Sequence, residues 1–180
     1  MGAAVRAGVE IRLATEDDAP ALAALLRASR EHLAPWDPER AEDFFTEASQ
    51  REGLLVSLEA HAQGRGVPMV ILAGGALVGR ISINDVVRGA FQSAHLGYWV
   101  GAGHTGRGVA GAAVAQVVRL AFDELELHRL QADTLVHNAA SRAVLARNGF
   151  APIGLAPQYL RIAGRWQDCL LHQLITDRDG

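Results

Sequence analysis

HLGYWV (His95–Val100) followed by GAGHTGRGVAG (Gly101–Gly111) is the stretch on which the reading of this chain turns. The first six residues spell a hydrophobic strand. The rest is a glycine-rich loop that opens a long apolar helix. RLQADTLV (Arg129–Val136) reads as a second strand and NAASRAVLARNGF (Asn138–Phe150) as a second helix. Glycines let backbone N–H groups turn inward, and a helix N-terminus adds partial positive charge. Strand, loop and helix therefore make an anion-binding device suited to a pyrophosphate.

Spacing tests whose pyrophosphate it is. Gly101 to Gly106 matches G-x-G-x-x-G letter for letter. A dinucleotide fold usually opens with that motif, and an acidic residue about 20 residues on closes the next strand. Here the motif lies past the middle; Asp123 falls in or at the end of the helix, and Asp133 falls within the strand. Gly103 to Gly108 has Walker glycine spacing, but Val109 stands where that motif needs Lys. Neither motif fits.

Thr105-Gly106-Arg107-Gly108-Val109-Ala110 resembles the [Q/R]-x-x-G-x-[G/A] loop of the GNAT superfamily of N-acetyltransferases. The resemblance extends through NDVVRGAFQSAHLGYWV (Asn84–Val100), ELHRLQADTLVHNAASRAVLARNGF (Glu126–Phe150) and IAGRWQD (Ile162–Asp168) to the RimJ/RimL branch, which acetylates N-terminal amines of ribosomal proteins. It implies an α+β fold: a central, mostly antiparallel twisted sheet, helices on both faces, and a splay between the fourth and fifth strands that holds acetyl-coenzyme A. It also implies cofactor contacts from Thr105, Gly106, Arg107, Gly108, Val109, Ala110 and Gly111. Two residues depart from the family pattern: Thr105 replaces Arg or Gln, and Ala112 replaces a Glu common near the helix start.

The 180 residues suit one domain at 9–176 behind a flexible tail at 1–8. Hydrophobic residues make up 49% and charged residues 21%, enough for a core and too ordered a balance for a disordered chain. A net charge of −3 argues against nucleic-acid binding and leaves room for a basic peptide. The lone Cys169 makes no internal disulfide and suits a reducing compartment. No signal-like h-region and no run of about 18 apolar residues is present, so a cytoplasmic protein without a membrane segment is expected, as monomer or homodimer.

Val9–Ala14 reads as a strand, and Thr15 with Asp18 as a capping box before a helix carrying Leu22, Leu25, Leu26 and Leu33. Pro35-Trp36-Asp37-Pro38 breaks that helix. Glu39 to Gln63 reads as helical, interrupted near Gly53. Two strands, Val67–Leu72 and Ala76–Asp85, flank the hairpin signal Gly74-Gly75. Ser93–Val100 is the central strand, and Ala151–Leu160 and Arg165–Ile175 form a terminal hairpin.

Acyl transfer from a thioester to an amine needs a base, a donor for the developing oxyanion and a proton source near sulfur. No G-x-S-x-G elbow is present. Cys169 reads as buried filler rather than a nucleophile. His95, on the strand feeding the loop, is the candidate base. Asn138 and Ser141 suit helix caps; by resemblance Asn138 also touches the pantetheine arm and Ser141 lies near the sulfur, since the family's usual acid Tyr is absent from this helix. Backbone groups of Trp99 and Val100 pair with the pantetheine arm, the Val100 N–H also serving the oxyanion. Trp36, Asn84, Arg88 and Phe91 are candidate walls of an acceptor pocket; Phe44 and Phe45 read more simply as core, and Asp168 as a strand-edge charge. The seven histidines form no H-x-x-x-H or H-x-H pair, so no metal site is expected.

The expected function is acetyl-coenzyme A-dependent transfer to a protein or peptide N-terminal amine, with a small first residue such as Ala or Ser. The alternatives are a small-amine acetyltransferase, its acceptor an antibiotic or amino-acid derivative, and an acyl-coenzyme A-binding module without turnover.

Overall fold

The computed structural model describes residues 8–176, so the expected tail at 1–8 lies outside the described residues except for Gly8. Strand β1 (Val9–Leu13) leads through a single 3-10 turn (Glu16–Asp18) into α1 (Ala19–Ala28) and a short α2 (Arg30–Leu33). The junction is fixed by Asp18, which is buried. Its carboxylate accepts from the Thr15 N–H at 2.8 Å and from both Arg12 guanidinium arms at 2.6 and 2.8 Å. The Arg12 hydrogen bond, opposed by burial, holds the Asp18 carboxyl below its ordinary range.

The helix expected from Glu39 begins later. A 3-10 turn covers Glu42–Phe45, and α3 runs from Glu47 to Ala62. The Thr46 hydroxyl accepts from the Ser49 N–H at 3.3 Å and sets this start. Gly53 does not interrupt α3, because its neighbour Leu54 is fully buried and pins that turn to the sheet.

Then come β2 (Val67–Ala73), β3 (Ala76–Val87), β4 (Ser93–Val100), α4 (Val109–Arg119), β5 (Arg129–Leu135), α5 (Ala139–Arg147), β6 (Ala151–Ile162) and β7 (Arg165–Ile175). The strands form one sheet ordered β1-β2-β3-β4-β5-β7-β6. Every neighbouring pair is antiparallel except β4 and β5, which are parallel. The mixed sheet expected from the sequence is therefore present.

Helices α1 and α3 cover one face, where Leu22, Leu54, Val70 and Trp99 pack together. Helices α4 and α5 cover the other, where Val114, Val117 and Leu145 meet Ile81, Leu96 and Leu130. Among the described residues no helix is long and apolar enough to cross a membrane.

One parallel contact positions the site. β4 and β5 pair only where Ser93–His95 face Arg129–Gln131. Beyond that, β4 stays bonded to β3 as far as Val100 opposite Gly79, and β5 stays bonded to β7 as far as Leu135 opposite Cys169. The two strands part into a V.

Gly79 holds the β3 side of the V. A Cβ there would collide with the Trp99 carbonyl oxygen and sit 3.2 Å from the Val100 Cα. Gly79→Ala should push the end of β4 into the V. We expect a loss of about 1–3 kcal/mol in urea denaturation, the usual range for overpacking, together with weaker coenzyme binding by calorimetry.

Candidate active site

The V opens onto two cavities. The larger, of about 640 Å³, lies between the sheet and the α1–α3 layer and is walled by Trp36, Phe44, Arg80, Trp99, Asp133 and Ser141. The smaller, of about 490 Å³, is walled by Asn84, His95, Tyr98, Asp133, Ser141 and Tyr159. Gly97, Tyr98, Asp133 and Ser141 belong to both, so the cavities meet at the fork.

Alternation along β4 sorts its side chains. Trp99 packs with the α1–α3 layer, and Leu96, Tyr98 and Val100 pack toward α4 and α5. His95 and Gly97 therefore share the Trp99 face. Backbone groups alternate too: the Gly101 N–H donates to Val78 of β3 at 2.9 Å. The Val100 N–H is turned the other way, into the V.

The glycine loop closes the top. Gly106 and Gly108 have φ of 71° and 77°, and Gly108 immediately precedes α4. No side chain caps α4, and its first turn carries no acidic residue, so the amides of Val109, Ala110 and Gly111 point outward without helical acceptors. The loop is braced from behind by α1: the Ser29 hydroxyl accepts from the Ala102 N–H at 3.1 Å, and a Cβ on Gly101 would meet Leu25 at 2.5 Å. The Thr105 hydroxyl donates to the Ala102 carbonyl at 3.2 Å, and Arg107 is exposed. Ala112 is buried in the packing of α4.

The β5–α5 junction supplies the other wall. Asn138 caps α5, its Oδ1 accepting from the Ser141 N–H at 3.1 Å, and it also lines the larger cavity. The Ser141 hydroxyl lies 2.7 Å from the Tyr98 hydroxyl. Burial raises the Tyr98 phenol to about 12, with the Ser141 bond opposing, so it is neutral at physiological pH. Tyr98 was not singled out from sequence. Its signal was its place in HLGYWV, opposite in parity to His95, on the face that meets α5. The Trp36 ring packs on His137, centroids 5.4 Å apart, and ties the segment after α2 to the β5–α5 turn.

Charged residues that sequence reading did not assign to the site also face the cavities, among them Asp133 and Arg80. Asp133 of β5 lines both and has no hydrogen-bond or ion-pair partner among the described residues. Burial pushes its carboxyl above the ordinary range, and His95 and then His172 pull it partly back. Arg80 of β3 lines the larger cavity, and burial lowers its pKa.

Of the expected acceptor residues, Trp36 and Asn84 line cavities, whereas Arg88 and Phe91 line neither. Arg88 donates to the Leu125 carbonyl at 2.6 Å, which draws it toward the turn before β5. Phe44 faces the larger cavity; Phe45 meets it edge-on at 5.4 Å. Asp168 accepts from the Gln158 N–H at 2.9 Å within the terminal hairpin. Cys169 is fully buried, and burial raises its thiol. Among the described residues no His, Cys, Asp and Glu cluster could hold a metal ion.

A family model described as an acetyltransferase (GNAT) domain matches residues 9–151. A [ribosomal protein uS5]-alanine N-acetyltransferase of Escherichia coli (strain K12) is 32% identical over 168 residues, covering 92% of this chain and 87% of that one. Among solved structures, Mycobacterium smegmatis RimJ in complex with CoA-disulfide superposes with a TM-score of 0.91 at 35% identity, covering 94% of this chain and 82% of the other. A ribosomal-protein-S5-alanine acetyltransferase of Vibrio fischeri gives 0.90 at 32% identity, covering 94% of each.

Asp133→Asn should raise stability at neutral pH. A carboxyl whose folded pKa is raised destabilises the fold when ionised; this penalty is complete above the folded pKa and disappears below the unfolded value near 3.8. Thermal melts should show a higher Tm than wild type at pH 8 and convergence of the two near pH 3.5.

Proposed function

This chain belongs to the GNAT acetyltransferase family, and we propose that the amine it acetylates is the N-terminal α-amine of a ribosomal protein. It is an N-acetyltransferase whose co-substrate is acetyl-coenzyme A. The observation that carries the acceptor reading is the meeting of the two cavities at Gly97, Tyr98, Asp133 and Ser141. A donor held in the V on one side meets, at one point, an amine entering from the other. Two relatives with 32% identity, from Escherichia coli and Vibrio fischeri, are named as acetyltransferases of ribosomal protein S5 alanine. Such an acceptor also places the reaction in the cytoplasm.

The chain fits the donor. Amides at Gly106, Gly108, Val109, Ala110 and Gly111 receive the pyrophosphate without a competing side-chain cap. The β4 edge at Trp99 and Val100, unpaired with β5, receives the amide-rich pantetheine arm as an added strand would be received. The Val100 N–H stabilises negative charge developing on the thioester oxygen.

Ser141, held by Tyr98 at 2.7 Å, donates the proton that the departing sulfur takes up. Asp133 attracts the incoming ammonium, and His95, beside it on the same face, takes the proton from nitrogen. An α-amine has a pKa of about 7.7–8.0, against about 10.4 for lysine. It thus supplies far more neutral nucleophile at pH 7, and a histidine suffices as base.

Mass spectrometry on peptides with free and blocked N-termini beside a panel of small amines tests this reading. Acetylation at free N-termini is expected, with Ala or Ser first. His95→Ala should lower kcat by about 10²–10⁴-fold with coenzyme affinity retained. Acetylation confined to small amines would overturn the acceptor, and coenzyme binding without release of free thiol would overturn catalysis.

A further inference from the structure

Arg80 is a cation with no counter-charge. Its Nη2 donates to the Ser57 hydroxyl of α3 at 3.0 Å, and no carboxylate pairs with it among the described residues. The other arginine on the larger cavity, Arg40, is bridged to Asp37 at 2.8 Å. The cavity therefore holds one unpaired cation, Arg80, and one unpaired carboxylate, Asp133. A partly desolvated charge left without a partner is costly, and these two do not neutralise each other. A guanidinium presents five N–H donors in a fork that matches a carboxylate, and the Ser57 bond uses one.

The spacing fits a peptide. Arg80 stands opposite Trp99, and Ser82, two residues along β3, stands opposite Gly97 at the fork. Two strand residues span about 6.6 Å, so Arg80 lies roughly that far along the sheet from where the amine enters. At the fork itself the floor is polar and low. Gly97 has no side chain, and a Cβ there would lie 3.4 Å from Asn84 Nδ2 and 3.7 Å from Ser82 Oγ. An extended acceptor rises about 3.3 Å per residue, which brings the side chain of its second or third residue to Arg80.

Resting on the N-terminal reading above, we infer that Arg80 is an anion subsite for the acceptor, taking a carboxylate on the second or third residue while Asp133 faces the α-ammonium. The substrate class narrows to protein N-termini with a small first residue and an acidic residue at position two or three.

Peptides that differ only in Glu, Gln or Lys at positions two and three test this with wild type, Arg80→Gln and Arg80→Lys. Wild type should favour Glu over Gln about 10-fold or more in kcat/KM, since a hydrogen bond to a charged group contributes about that much, mainly through KM. Lys should be worst. The preference should collapse in Arg80→Gln and survive in part in Arg80→Lys, with coenzyme A binding confirming that each variant is folded. Equal use of Glu and Gln peptides by wild type, or a preference kept in Arg80→Gln, would overturn the inference and leave the N-terminal reading intact. If only small amines react, the N-terminal reading falls. Glutamate against glutamine as acceptors then decides the subsite, and equal rates would overturn it too.

Discussion

The parallel hydrogen bonding between β4 and β5 covers only Ser93–His95 against Arg129–Gln131, and the rest of the site depends on its stopping there. Each strand is held on its far side, β4 by β3 and β5 by β7. The V is therefore built into the sheet rather than opened by a ligand. It exposes backbone N–H and C=O groups that a closed sheet would satisfy. Such groups are obligatory hydrogen-bonding partners, and an extended, amide-bearing molecule has the groups to complete them.

Polar groups gather at the fork, where the parted strands leave backbone groups unpaired. Tyr98 and Ser141 bond each other across it. Asp133 and Arg80, both on the larger cavity, have no ion-pair partner among the described residues. Both are desolvated in the sense that disfavours their charge. Such charges cost stability, the kind of cost that a stability–function trade-off accepts at a binding site. The apolar clusters on the two faces, anchored by Leu22 and Leu54 on one and by Val114 and Leu130 on the other, carry the stability that this arrangement gives up.

Much of the fold was legible in sequence because its signals are local. The glycines of the loop announce positive φ at Gly106 and Gly108, and Asn138 announces a cap that is present. The start of α3 lies later than expected because Thr46, a favoured cap though a weaker one than Asn, Asp or Ser, sits amid residues equally compatible with helix. Tyr98, Asp133 and Arg80 were passed over for a different reason. Period-two alternation says that two sets of side chains face opposite ways, but not which face holds the cleft. That is decided by β4 and β5 parting after His95 and Gln131, which no local pattern encodes. Arg88 and Phe91 were expected among the walls of the acceptor pocket, yet Arg88 is drawn to Leu125 instead.

The central claim is that the β4 edge and the glycine loop together hold the donor. Amide hydrogen exchange with and without coenzyme A tests it most directly, because it reads the backbone groups themselves. Protection should rise at Val100 and at Gly106–Gly111, with the β6–β7 hairpin unchanged. Coenzyme A binding that leaves both segments exchanging as in the free protein, with protection elsewhere, would contradict the account.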